Sequence, residues 1–298
     1  MKKIFALVLT LALAVMSFTA LAEIDRAGNE FTLPESVDTV VSMAPSITQT
    51  LIDLGCADKI VAIDKNSVGL EGLPEDLPAF DMMTPDVEQL AVLAPDMVLY
   101  SGISMVGGEN PFQPLVDMGV SFAAIPSSAT IEDIYTDITF IGDVMGAEEA
   151  AVKVNDALRA ELDEIKALGD SIPEEERKSV YFEISAAPYC YSFGSNVYMD
   201  EMISLVGAKN ALADQEGWIG VDPETVVASN PDVILTNVNY IENPIDEILG
   251  RDGWADVTAV KDNAVYYIDN MSSSLPNEHI TLALWQMGEA LYPDVFKK

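Results

Sequence analysis

The sequence predicts an α/β protein made of two Rossmann-like lobes with mainly parallel sheets, joined by one long α-helix. Three observations indicate this fold class. One short segment occurs twice in the chain, apolar runs typical of buried strands alternate with helical stretches, and a stretch rich in alanine, leucine and glutamate separates the two copies. Strands that alternate with helices form parallel sheets with helices packed on their faces.

The repeated segment occupies residues 86–99 and 222–235, with a constant offset of 136 residues. Both copies fit the pattern D-x-E-x-[LV]-x-[VA]-x-x-P-D-[MV]-[VI]-L. The pattern predicts a short helix, because an acid suits the positive end of a helix and a residue before proline disfavours the helical conformation. The apolar residues after it predict a strand covered on both faces. The period is too long for a solenoid, so it indicates two related lobes.

Each predicted lobe begins with a strand, followed by a loop and a helix that ends at a glycine. Residues 39–43 precede a helix over 47–54 that ends at Gly55. In the second lobe, residues 179–184 precede a helix over 198–206 that ends at Gly207. Glycine is common at helix ends because it adopts the left-handed conformation without strain. Other apolar runs predict strands at 59–63, 97–100, 120–125, 233–236 and 264–268.

Residues 148–168 predict the long helix between the lobes. Its apolar residues lie near helical spacing, at Val152, Leu158, Leu162 and Ile165. Acids occupy its first turn, and Gly169 is expected to end it. At ~1.5 Å per residue the helix is about 30 Å long, which is enough to contact both lobes. We therefore expect an N-terminal lobe over 23–142, a bridging helix within 143–170 and a C-terminal lobe over 171–298.

Residues 1–22 are predicted to be a secretory signal peptide. Lys2 and Lys3 form a basic start, residues 4–15 form a short apolar stretch, and Ala20-Leu21-Ala22 forms a cleavage site of the A-x-A type. There is no cysteine near this site to carry a lipid anchor. The sequence therefore predicts export to the periplasm, with cleavage after Ala22.

Composition argues against several classes of function. The formal net charge is −34, which argues against a nucleic-acid partner, because phosphate binding needs clustered cationic side chains. The chain has one histidine, His279, which excludes a site with several histidines. Two cysteines, Cys56 and Cys190, could pair after export, but we favour two unpaired residues in packed positions. Nucleophile-elbow, phosphate-loop and dinucleotide-binding motifs are absent from the sequence, so no enzyme is predicted.

Aromatic and polar residues are concentrated in four loops that we expect at the lobe edges. The loops span residues 80–84, 187–194, 217–220 and 269–276. Loops at the carboxyl ends of parallel strands line the ligand crevice in doubly wound sheets. Together they indicate a cleft between the lobes.

These residues resemble a known family, the periplasmic binding proteins for ferric siderophores, haem and cobalamin. The resemblance is carried by residues 40–48, the two D-x-E…P-D segments, Gly253-Trp254, residues 260–266 and the Ser/Pro loop at 272–276. It covers essentially the whole chain after residue 22. It implies the class III periplasmic-binding-protein fold, capture of a metal chelate between the lobes, and delivery to an ABC permease. The resemblance implies no resident cofactor and no catalysis, and we expect a monomer.

Two sets of site residues follow from the resemblance and the loops. Glu88 and Glu224 are expected to dock onto permease arginines; alternatively, they only stabilise helix ends. The candidate ligand residues are Met82, Met83, Tyr189, Tyr191, Trp218, Tyr240, Ser273 and His279. Residues 269–276 carry no Lys or Arg, which favours a neutral or weakly charged chelate over an anionic catecholate.

Several alternatives remain open at this point. A ferric siderophore is the favoured ligand. Cobalamin or haem is the first alternative, and Tyr189, Tyr191 or His279 would then be candidates to coordinate haem iron or another metal directly. A chelatase-like enzyme on the same scaffold and an envelope interaction module are the alternatives from other classes.

Overall fold

The structure is a computed structural model that describes residues 21–105 and 112–297. The predicted signal peptide lies outside these residues, except for Leu21 and Ala22 at the start of the first strand. Within the described ranges, none of the helices has both the length and the apolar character needed to cross a bilayer.

The N-terminal half is built on a five-stranded parallel sheet. An antiparallel hairpin precedes it, formed by β1 (Leu21–Ile24) and β2 (Glu30–Leu33). The sheet strands are β3 (Val40–Met43), β4 (Ile60–Asp64), β5 (Ala79–Phe80), β6 (Met97–Ser101) and β7 (Ser121–Ile125). Their order is β5-β4-β3-β6-β7. Every residue of β3 and β6 is buried, as expected for strands covered on both faces.

Four helices of the N-terminal half and one long helix follow in the chain. They are α1 (Pro45–Asp53), α2 (Val87–Leu93), α3 (Gln113–Asp117), α4 (Ile131–Met145) and α5 (Glu148–Asp170). Helix α4 is missing from the sequence-based predictions, although its N-terminal signal is present. The Thr130 side chain accepts a hydrogen bond from the amide of Asp133, and the Asp133 side chain accepts one from the amide of Thr130. This reciprocal capping box is a recognisable helix start.

The C-terminal half has six strands, four of which repeat the parallel arrangement. Its strands are β8 (Ser179–Glu183), β9 (Tyr191–Phe193), β10 (Lys209–Asn210), β11 (Trp218–Gly220), β12 (Val233–Thr236) and β13 (Val265–Tyr267). The parallel sheet has the order β10-β8-β12-β13, while β9 and β11 form a separate antiparallel pair. The helices are α6 (Tyr198–Leu205), α7 (Pro223–Ser229), α8 (Pro244–Leu249), α9 (Thr258–Lys261), α10 (Asn270–Ser274) and α11 (Ile280–Leu291).

The predicted long helix is α5, and it contacts elements of both halves. It packs on α4 of the N-terminal half and on α6 and α11 of the C-terminal half. Its residues Leu158, Leu162 and Ile165 are buried in a core that extends from the first parallel sheet to the second. The helix begins at Glu148, because Gly146 ends α4 in the left-handed conformation; residues 143–145 therefore belong to α4.

The prediction that Gly169 ends the long helix is wrong. Helix α5 continues through Gly169 to Asp170, so this glycine lies inside the helix. A Cβ atom at this position would lie 2.1 Å from the carbonyl oxygen of Leu205 and 2.8 Å from the amide nitrogen of Gly207. The residue is therefore explained by the close approach of α5 to the end of α6, and not by helix termination.

Replacing Gly169 with alanine is expected to destabilise the protein by about 1–3 kcal/mol or more, because the added methyl group overlaps backbone that cannot rotate away. Urea-induced unfolding followed by circular dichroism measures this change. Gly220→Ala is a matched control, since a Cβ atom there meets no atom within 4 Å. Equal stability of the two variants would contradict the tight contact between α5 and α6.

The two repeat copies share their local geometry. Both short helices, α2 and α7, end at a left-handed residue that precedes the proline, Ala94 and Asn230. The following aspartates then hold the first strand of each sheet. Asp96 Oδ2 accepts a hydrogen bond from the Thr39 amide at 2.9 Å, and Asp232 Oδ2 accepts one from the Ser179 amide at 2.8 Å. Burial opposes ionisation of Asp96, but the hydrogen bonds from Thr39 and the Asp38 amide lower the pKa of its carboxyl group.

Both cysteines are free and buried, which confirms the interpretation of Cys56 and Cys190 as packed residues. Burial raises the pKa of the Cys56 thiol. Burial and, next, the Glu183 carboxylate raise the pKa of Cys190 to about 11. Neither thiol is therefore activated as a nucleophile at neutral pH.

Candidate functional site

A cavity of about 800 Å³, here called the central cleft, is lined by residues of both halves. Its size lies within the range of small-molecule binding sites. The N-terminal half contributes Ala44, Pro45, Ser46, Ile47, Thr50, Asn66, Met82, Ser101, Ile103, Ile125, Pro126, Ser127, Ser128, Ile134, Asp137, Ile138 and Ile141. The C-terminal half contributes Tyr191, Tyr198, Trp218, Asn270, Met271, Ser274, Leu275 and Pro276.

The carboxyl ends of the first parallel sheet supply one wall of the central cleft. Each of its five strands is followed within two residues by a lining residue: Ala44 after β3, Asn66 after β4, Met82 after β5, Ile103 after β6 and Pro126 after β7. Parallel strands place their carboxyl ends at the same edge of the sheet, where ligands bind in open α/β folds. Helix α4 adds an apolar side through Ile134, Ile138 and Ile141.

Aromatic side chains form the opposite wall. Tyr191 on β9 and Trp218 on β11 are each 40% exposed, so part of each ring is available to a ligand. The Trp218 ring packs edge-on against Phe193 at 5.9 Å and Tyr198 at 6.2 Å between ring centroids. The Tyr198 hydroxyl donates a hydrogen bond to the Ser273 carbonyl, and burial raises its pKa above the usual range. Neighbouring aromatic rings therefore hold Trp218 in place.

Asp137 is the one charged side chain among the described lining residues of the central cleft. Its carboxylate accepts hydrogen bonds from Arg26 Nε at 2.6 Å and from Ser128 Oγ at 2.9 Å. Burial raises the pKa of Asp137, and the hydrogen bond from Arg26 opposes that increase. The remaining polar lining consists of hydroxyl and amide groups, so the described surface offers neutral hydrogen-bonding partners and apolar contacts.

The structure brings three of the eight candidate ligand residues together in the central cleft: Met82, Tyr191 and Trp218. Met83 is adjacent to Met82 but exposed and is not part of the lining. Tyr189 and Tyr240 line a different cavity of about 440 Å³, between residues 185–189 and 240–247.

Ser273 and His279 lie outside the lining of the central cleft. Ser273 is fully buried, and its Oγ accepts a hydrogen bond from Asn237 at 2.9 Å. His279 Nε2 lies 2.8 Å from Asp53 Oδ2 at a separate position between the two halves.

Sequence reasoning missed most of the N-terminal wall. Asn66, Ser101 and Ser127 are small polar residues without a motif, and their only signal is that they lie close to the ends of strands. Ser46 lies within residues 40–48, which carry the family resemblance, but it is not among the predicted ligand residues. The α4 residues were missed because that helix is absent from the predictions.

Glu88 and Glu224 are both exposed, and each lies in the first turn of its helix, α2 and α7. Each glutamate follows a cleft-lining residue by six positions, since Met82 and Trp218 are related by the same repeat offset. The two acids are therefore equivalent positions of the sequence repeat, each close in the chain to a residue of the cleft lining.

Comparison with known proteins gives one family. A family model for periplasmic binding proteins matches residues 40–271. YvrC, an ABC transporter substrate-binding lipoprotein of Bacillus subtilis, is 30% identical over 277 residues, covering 92% of this chain and 86% of YvrC. The vitamin B12-binding protein of Yersinia pestis is 25% identical over 73% of this chain and 75% of its own.

The solved structure of the molybdate-binding protein MolA of Haemophilus influenzae has the same fold, with a TM-score of 0.80. It is 20% identical and covers 93% of this chain and 92% of that chain. The match of the family model over most of the chain, together with the extended similarity to YvrC, shows that this chain belongs to the periplasmic binding protein family.

Proposed function

We propose that this protein captures a metal chelate of low charge, most favourably an uncharged ferric siderophore, in the central cleft and delivers it to the permease of an ABC importer. The supporting observation is the lining of the cleft. It combines aromatic, methionine and hydroxyl groups, and no Lys, Arg or His occurs among its described residues.

The charge of the lining argues for the low charge of the ligand. A strongly anionic chelate that leaves water needs cationic partners, because burial of an unpaired charge is costly. Arg26, which contacts the lining residue Asp137, is already engaged with Asp137 and Asp133. The net charge of −34 also repels anions at a distance. A free oxyanion such as the molybdate bound by MolA therefore fits this cleft poorly.

Cobalamin and haem are the alternative ligands within the same function. Cobalamin is supported by the apolar and aromatic residues that line the cleft and by the similarity to a vitamin B12-binding protein. Haem needs an axial ligand, and Tyr191 is the available candidate in the cleft among the tyrosine and histidine residues, since the Tyr198 hydroxyl is bound to Ser273 and His279 lies elsewhere. A chelatase-like enzyme is less well supported, because the carboxylate in the described lining, Asp137, is held by Arg26 and Ser128.

Glu88 and Glu224 are the proposed contacts to the permease. Both carboxylates are exposed, and among the described residues neither forms an ion pair. An exposed carboxylate accepts two parallel hydrogen bonds from an arginine, which fixes the orientation of the bound partner.

We propose that the protein acts in the periplasm after removal of residues 1–22.

Binding of a panel of chelates tests the ligand class. We expect the purified protein to bind an uncharged ferric trihydroxamate at least tenfold more tightly than a ferric tris-catecholate, because the catecholate complex keeps its negative charge. Quenching of tryptophan fluorescence measures both affinities, with cyanocobalamin and haemin in the same panel. Tighter binding of the catecholate would contradict the proposal, and preferential binding of cyanocobalamin or haemin would identify the alternative.

A further inference from the structure

Three potential metal ligands meet at a point that neither the proposed cleft nor the permease contacts include. Asp53 is the last residue of α1, whereas Glu278 and His279 immediately precede α11. One ligand atom from each of the three side chains lies within 4.8 Å of the others. The His279 Nε2 and Asp53 Oδ2 atoms are 2.8 Å apart. The group therefore joins the N-terminal half to the C-terminal half.

The Glu278 carboxylate lacks a full set of partners. Its Oε2 accepts a hydrogen bond from Thr50 Oγ1 at 3.2 Å, but its Oε1 is buried and accepts no hydrogen bond from the described residues. One carboxylate oxygen of Glu278 and one of Asp53 lie within 4.8 Å of each other. Two carboxyl groups this close repel each other when both are ionised, unless a proton or a cation compensates.

The donor set indicates which cation fits. One imidazole nitrogen and two carboxylate oxygens are typical ligands of zinc and of similar transition metals, whereas Mg²⁺ and Ca²⁺ prefer oxygen ligands alone. Bond lengths of ~2.0–2.2 Å place two donors of one tetrahedral zinc ion about 3.3 Å apart, so the His279–Asp53 contact needs to lengthen by only about half an ångström. Gln49, whose side chain donates to Asp53 Oδ2 at 2.9 Å, holds that carboxylate in position.

We propose that Asp53, Glu278 and His279 form a binding site for one divalent transition-metal ion of the zinc class, held between α1 and the segment before α11. The ion compensates the charges of the two carboxylates and leaves a coordination position for water. It links the two halves at a second point, away from α5. Thr50 lines the central cleft and also donates to Glu278, so the ion lies directly behind the cleft wall. The site does not depend on the identity of the transported ligand.

The single histidine of the chain gives a direct test. The protein is prepared without a histidine tag, treated with EDTA and titrated with ZnCl₂ in excess Mg²⁺, and the one imidazole signal is followed by ¹H–¹⁵N NMR. We expect a saturable shift of the His279 nitrogens at one equivalent of zinc, and one bound ion in native mass spectrometry. An unchanged imidazole signal at saturation would overturn the proposal without any substitution in the protein.

Two substitutions and one control complete the test. His279→Gln and Asp53→Asn are each expected to weaken zinc binding at least tenfold in isothermal titration calorimetry. Asp256→Asn makes the same charge change as Asp53→Asn at a side chain that is 95% exposed, and it should leave zinc binding unchanged. Equal weakening in all three variants would indicate diffuse attraction of cations by an acidic surface, and zinc affinity unchanged in His279→Gln would exclude the site.

Discussion

Replacing Glu88 and Glu224 together with alanine is expected to abolish uptake of the transported chelate while leaving its affinity for the isolated protein unchanged. Both side chains are exposed, and neither lines the central cleft, so their removal leaves the binding surface intact. Loss of an acid from the first turn of a helix costs only ~0.3–1 kcal/mol each, which a folded domain tolerates. The effect should therefore appear in transport alone.

The measurement compares uptake of radioactive iron chelate by cells that carry the wild type or the double variant, together with binding by the purified proteins. A matched control is Glu148→Ala with Glu149→Ala, which removes two exposed first-turn acids from α5. The control should transport normally. Normal uptake by the Glu88/Glu224 variant would remove these residues from the permease contact, and loss of uptake in both double variants would point to net charge instead.

Truncating Trp218 to alanine is expected to weaken chelate binding at least tenfold, equivalent to about 1.4 kcal/mol. Part of its ring faces the central cleft, and Phe193 and Tyr198 fix its orientation, so a ligand gains contact area there at little entropic cost. Large, well-supported aromatic side chains dominate binding energy at many recognition sites. Equilibrium titration with the chelate measures the change, and a thermal melt confirms that the variant is folded.

Tyr189→Ala is the informative control for Trp218. Both residues are candidates from sequence, but Tyr189 is 83% exposed and lines the separate cavity near Tyr240. We expect the affinity of the Tyr189→Ala variant for the chelate to stay within twofold of the wild-type affinity, a difference in binding free energy of about 0.4 kcal/mol. A large effect of Tyr189→Ala with none for Trp218→Ala would move the binding site to that second cavity.

The regular part of the fold could be predicted from sequence because local signals and long-range packing agree there. The repeat at 86–99 and 222–235 correctly predicts α2 with β6 and α7 with β12. The other strands proposed from apolar runs lie within one residue of their observed bounds. Continuous burial selects apolar residues at every position of such strands, so the pattern is strong.

Short or exposed elements left no such pattern. β5 and β10 have two residues each, and β11 is only partly buried, so none of them shows a recognisable period. Gly169 was misread because a glycine near a helix end has two explanations, termination or close packing, and only the position of α6 distinguishes them.

The lining of the candidate site could be predicted only in part from the sequence. Trp218, Tyr191 and Met82 stand out by residue type, and they line the central cleft. Tyr189 lies two residues from Tyr191 and has the same chemistry, but it lines a different cavity. Which residues of a loop face the cleft depends on backbone direction, and sequence alone does not supply it. Asp53 is separated from Glu278 and His279 by more than 200 residues in the chain, so only the folded structure brings the three side chains together.

Native mass spectrometry of the protein purified from its own host tests the central claim most directly, because a ligand carried through purification reports its own mass. We predict one molecule per chain with the mass and isotope pattern of an iron chelate, released on unfolding and absent after exchange into excess competing chelator. If the purified protein carries no metal chelate and binds none of the metal chelates that are added to it, this result would contradict capture in the central cleft.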